Sequence, residues 1–170
     1  VIYNREKGSK RNMKKALRII LYVAFGIYCL VLVKYLFIDG RSGTESSGGL
    51  YFRQSNLIPL KTVIDYIQKV NDGKLNADIA VRGIIGNLIV LFPLGCFLPC
   101  LSKRFQKYTS TLFTAFCVVL AVELLQPLLR VGYFDIDDFI LNLSGASLGY
   151  LTVRIPFIKS LLSKLNFYKE

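Results

Sequence analysis

The chain has no histidine among its 170 residues. That removes the usual general base of neutral-pH chemistry, so any acid–base role falls to carboxylates, tyrosine or lysine. It also leaves the cysteines without partners for a metal: Cys96 and Cys100 stand one helical turn apart, too few ligands for a zinc site. Cys29, Cys96, Cys100 and Cys117 all fall in apolar runs, where a free thiol packs as a small hydrophobe. A serine nucleophile has no imidazole to activate it, and Ser144, close to Asn142 and Gly145, reads as a packing or backbone-bonding residue. Charge is scarce as well. Charged residues make up 19% of the chain, below the roughly 25% of an ordinary soluble domain.

What the chain has instead is clustered apolar sequence. The hydrophobic fraction is 53% and the mean hydropathy is +0.45. Four runs stand out, at residues 16–38, 84–101, 112–129 and 139–153. About 20 apolar residues cross a bilayer. The fourth run is short and is expected to reach back to Asp137, with Arg154 snorkelling at its far end. These runs predict an all-α integral membrane bundle of four transmembrane helices. The first run exceeds a signal peptide's apolar stretch and no clear small-x-small cleavage site follows it, so it reads as a retained anchor. Met13 stands just before it, and no function is read into residues 1–12.

Lysine and arginine set the expected orientation. Arg5, Lys7, Lys10, Arg11, Lys14, Lys15 and Arg18 precede or open the first run. Lys103, Arg104 and Lys107 sit between the second and third, and Arg154, Lys159, Lys164 and Lys169 follow the fourth. With four crossings these segments share one side, which carries 14 basic residues against Glu6 and Glu170. The basic excess marks the cytoplasmic side, so both termini are expected inside. Topology thus accounts for the net charge of +11 without a nucleic-acid partner.

The expected organisation is a basic segment at 1–15, a first transmembrane helix at 16–38 and a flexible outer linker at 39–55. A domain at 56–156 holds the other three transmembrane helices, and 157–170 is a basic tail. The stretch 40–49 is rich in glycine and serine, with no capacity to form a core. Residues 56–70 differ: Leu60, Val63, Ile64 and Ile67 recur at helical spacing, and Pro59 suits a first helical turn. That segment is too short to span. It reads as a helix lying at the outer interface or capping the bundle.

Polar groups interrupt the third and fourth runs where burial is expensive, about 2.5–3.5 kcal/mol per charge at the bilayer centre on insertion scales. At about 100° per residue, Glu123, Gln126 and Arg130 lie near one face of the third helix, and Asp138, Asn142, Gly145 and Gly149 form a stripe on the fourth. The second helix begins on the same side with Arg82 and Asn87. One pocket near the outer interface is the expectation. Helix–helix packing is the competing account, since Gly145 and Gly149 make a small-xxx-small motif.

These same residues carry a family resemblance. Asn87-Leu-Ile-Val-Leu-Phe-Pro-Leu-Gly95, Glu123-Leu-Leu-Gln126, Arg130 and Asp135-Ile-Asp-Asp138 occur in order, followed by Asn142 and Gly145 and preceded by Asn56-Leu-Ile-Pro59. Together they resemble the VanZ-like family over about residues 56–151. The resemblance implies a multi-pass cell-membrane protein of Gram-positive bacteria acting at the cell envelope, since the family's namesake is associated with teicoplanin resistance.

Three functional readings follow. In the first, the chain binds or modifies an envelope lipid or lipid-linked cell-wall precursor. Arg82 and Arg130 would hold an anionic head group, with Asn56, Asn87, Gln126 and Asn142 as further contacts. Glu123 would act as acid or base, and Asp135, Asp137 and Asp138 would serve as further catalytic carboxylates or hold a hard divalent cation. The second reading is a small transporter or flippase of an anionic lipid. Four helices without an internal repeat would then require an oligomer. The third is a non-catalytic membrane subunit whose polar cluster is structural.

Overall fold

The computed structural model describes residues 2–39, 55–165 and 167–168, so most of the expected outer linker lies outside the described residues. Every regular element among them is helical. Helix α1 (Ile2–Lys34) runs on into a wider π-helical turn at Tyr35–Asp39. Then come α2 (Lys61–Asn71), α3 (Ala77–Val90), α4 (Phe92–Leu101), α5 (Tyr108–Leu128), α6 (Ile136–Arg154) and α7 (Pro156–Lys164).

Among the described residues, three stretches are long and apolar enough to cross a membrane: Asn12–Ile38, Ala77–Leu101 and Tyr108–Leu128, at 27, 25 and 21 residues. The exception is α6, whose 19 residues include Asp137, Asp138 and Asn142 on the buried side. It packs against α3, α4 and α5, so neighbouring helices cover the face that carries its polar groups. It begins at Ile136, reaching back past Asp137 as its short apolar run required.

The second apolar run, expected as one helix, is two. Pro93 has no N–H to give to Ile89, and Leu91 takes φ −101° and ψ 1° between the segments. The hydroxyl of Tyr28 on α1 donates to the carbonyl of Val90 at 2.9 Å, supplying a bond at the break where lipid offers none. Pro59 likewise lies before its helix rather than in its first turn: α2 starts at Lys61, with Leu60 as its N-cap.

The α6 helix approaches α3 and α4 backbone to backbone. A Cβ added at Gly145 would overlap the carbonyl oxygen of Leu88; at Gly149, that of Phe92; and at Gly95, that of Ala146. Such close contact yields dispersion and Cα–H···O interactions where lipid gives no hydrophobic drive. Leu91, Leu94, Leu98, Ala115, Val119 and Ala146 form the core beside this seam. At its periphery α1 packs Phe25 and Tyr28 against Phe97, with ring centroids 5.6 and 5.8 Å apart.

Candidate functional site

The polar residues gather where α1 and α5 end and α6 begins, beside the last turn of α3. Asp135 starts the assembly. It is extended, and its Oδ1 accepts the N–H of Asp137 at 2.9 Å, an N-cap for α6. Its backbone pairs with Asn56: Asn56 N–H donates to Phe134 O at 2.8 Å and Ile136 N–H to Asn56 O at 3.0 Å. The side chains repeat the link. Asn56 Nδ2 donates to Asp135 Oδ1 at 3.2 Å and to Thr62 Oγ1 at 3.0 Å, and the Thr62 hydroxyl donates to Asp135 Oδ2 at 2.7 Å.

Asp137 is spent on the same joint. Its carboxylate accepts the N–H groups of Leu60, of Thr62 at 2.7 Å and of Val63 at 3.4 Å. These include donors that the first turn of α2 leaves without intrahelical partners, and an anion suits the positive end of that helix. Leu60 takes part through a left-handed backbone, φ 65°. Asp135 and Asp137 therefore fasten α2 to α6.

Glu123 and Asp138 are buried as well, with 2% and 6% of their surface exposed. Glu123 Oε2 accepts the N–H of Asp135 at 3.0 Å, tying the end of α5 to the cap of α6. Asp138 Oδ1 accepts from Asn87 Nδ2 on α3. Gln126 Nε2 donates to the carbonyl of Leu36 at 3.1 Å, joining α5 to the π-helical turn after α1. Asn142 Nδ2 bonds back to Asp138 O at 2.8 Å. The side-chain amide oxygens of Gln126 and Asn142 are buried without a hydrogen-bond partner among the described residues, an arrangement that costs free energy unless something else supplies a donor.

The two arginines stay outside this layer. Arg82 and Arg130 are exposed, and no hydrogen bond or ion pair joins either side chain to the described residues. Arg82 is five positions before Asn87 on α3, so the two face different ways. Arg130 closes α5 in the left-handed region, φ 59°, with Arg130 N–H donating to Pro127 O at 3.3 Å and Val131 N–H to Gln126 O at 2.9 Å. Glycine is the usual occupant of this closing position. Leu60 and Arg130 are the non-glycine residues with positive φ among those described, and both border the polar layer. Such strain persists where surrounding structure over-determines it.

The structure thus brings together Asn56, Asn87, Glu123, Gln126, Asp135, Asp137, Asp138 and Asn142, and leaves Arg82 and Arg130 at the rim. Among the described residues no three His, Cys, Asp or Glu side chains gather as a metal-ligand set, and the bonds to Asp135 and Asp137 occupy oxygens that a cation would need. Sequence reading missed Thr62, the amides of Leu60 and Val63, and the carbonyl of Leu36. Backbone groups carry no residue signature, and Thr62 is marked only by following the Asn56–Pro59 segment.

Comparison with curated proteins and with solved structures gives no match. The VanZ/LLP1 family profile matches residues 25–159, which contain the whole polar layer. Apolar helices of spanning length and this match together make the chain a membrane protein of the VanZ-like family.

Proposed function

We propose that the polar layer of this protein faces outward from the cell membrane and takes the polar head of an envelope lipid or lipid-linked cell-wall precursor. In this reading the chain crosses four times, through α1, the α3–α4 pair, α5 and α6, with both termini cytoplasmic and α2 lying at the outer interface. The basic residues support that orientation: Lys103, Arg104, Lys107 and Arg154 lie at the opposite end of α5 and α6 from the carboxylates. Leu57, Ile58, Leu60, Ile64 and Ile67, exposed around α2, suit the interface.

The observation that carries the proposal is the set of acceptors buried in one layer. Two carboxylates and two amide oxygens that lack a partner among the described residues exceed what helix packing needs, and they suit a ligand rich in hydroxyl or amine donors. Arg82 and Arg130 at the rim suit its phosphate or carboxylate. Glu123, buried and already accepting one N–H, would serve as acid or base if a reaction follows binding. A transporter would need polar groups through the full depth, but Leu94, Leu98, Ala115 and Val119 fill the other half.

The test expresses the parent, Glu123→Gln and Asp138→Asn in a susceptible Gram-positive host, recording teicoplanin inhibitory concentration and membrane abundance. Protection by the parent, lost in variants that reach parental abundance, supports a working site. Protection and abundance falling together supports a structural cluster. A parent without protection removes the glycopeptide reading and leaves lipid binding to be measured directly.

A further inference from the structure

The basic end of the fold, away from the carboxylates, is also recessed. A cavity of about 250 Å³ opens between α1, the end of α4 and the 3₁₀ turn Lys103–Gln106. Arg18 and Tyr22 line it from α1, with Ser102, Lys103 and Gln106 opposite and Phe167 as a wall. Arg18 and Tyr22 are four residues apart, so they share one helix face. The wall is held in place by the tail. Phe167 N–H donates to Leu162 O at 2.9 Å, and its neighbour Tyr168 is buried, accepting from Arg154 Nη1 at 2.9 Å with Lys159 stacked 5.6 Å over its ring.

We infer that this cavity binds the phosphate of an anionic phospholipid from the leaflet at the basic end. Two cations from different elements converge there, joined by the neutral donors of Ser102 and Gln106, a set that matches phosphate oxygens. A phosphate free in solution has the same chemistry, but the walls favour a lipid. Tyr22, Leu101 and Phe167 would remain wetted around a bare ion, whereas a glycerol backbone covers them. Ile19, Ile20 and Val23, all exposed beside Arg18 and Tyr22, continue along α1 as a track for acyl chains. Basic pockets between helices at this depth suit such head groups.

The experiment uses the full chain purified in dodecyl maltoside and reads its thermal midpoint with added phosphatidylglycerol, phosphatidylcholine or inorganic phosphate. A ligand that binds only the folded state raises the midpoint. Phosphatidylglycerol is expected to raise it above phosphatidylcholine, and Lys103→Gln and Arg18→Lys to lose about half of that shift or more. Arg18→Lys keeps the charge, hence the insertion topology, and removes only the guanidinium fork. Arg104→Gln removes a charge next door and is expected to keep the shift. An equal shift in all three variants would overturn the proposal in favour of diffuse attraction. A full shift from inorganic phosphate alone would overturn the lipid assignment.

Discussion

The carboxylate of Asp137 holds the backbone N–H of Thr62 at 2.7 Å across 75 residues of chain. One buried side chain thereby starts α2 and docks it on α6. Asp137→Ala is expected to free α2, at a cost of about 1–3 kcal/mol for the part-buried amides that lose their acceptor. Hydrogen exchange over residues 60–71 checks this, with faster exchange there than in α5. Asp137→Asn keeps one acceptor oxygen and should fall between the two.

Gly145 and Gly149 face carbonyl oxygens rather than movable side chains. Gly145→Ala should therefore push α6 off α3, costing about 1–3 kcal/mol as overpacking does. The same substitution at Gly26, where nothing lies within 4 Å, is expected to be neutral or stabilising. Thermal midpoints of the two variants in one detergent compare them directly.

Tyr28→Phe removes the hydroxyl that serves Val90 O at the α3–α4 break and keeps the ring against Phe97. The expected loss is about 0.6 kcal/mol, the average for hydrogen bonds between membrane helices, with about 1.7 kcal/mol as the upper end. An unchanged unfolding midpoint would mean that water or another donor serves this carbonyl equally well.

Arg130 separates stability from function. Glycine there relieves the left-handed strain, so Arg130→Gly should be neutral or more stable by up to about 1 kcal/mol. Under the proposed function it should nonetheless weaken protection, because a rim cation is gone. Midpoint and inhibitory concentration moving in opposite directions is the expected result.

Asn142→Leu probes the buried acceptor. If its unpartnered oxygen has no ligand to meet, replacing the amide with an apolar group of similar size should cost little or stabilise the bundle. If a donor-rich head group binds there, the folded protein should remain and activity should fall. Abundance and protection, measured together, distinguish these outcomes.

Much of the site was legible in periodicity. Asp138, Asn142, Gly145 and Gly149 share the buried side of α6 as their spacing required, and Glu123 and Gln126 are buried together on α5. The three aspartates were read as one chemical set, yet two of them serve α2. Their role depended on partners more than 70 residues away, several of them backbone amides that every residue but proline carries. Arg82 and Asn87 were expected to converge on one pocket, whereas five positions of helical rotation turn Arg82 outward.

Composition and pattern by themselves determined the membrane setting, the helical class and which polar groups share a helix face, because lipid forces backbone bonds inward and makes every buried charge conspicuous. Only the tertiary structure decided which polar groups satisfy one another and which buried oxygens are left over. That assignment depends on where each helix breaks, how closely the glycines let α6 approach α3 and α4, and which backbone amides the α2 turn presents. These are distances between segments remote in the chain, and no local pattern encodes them.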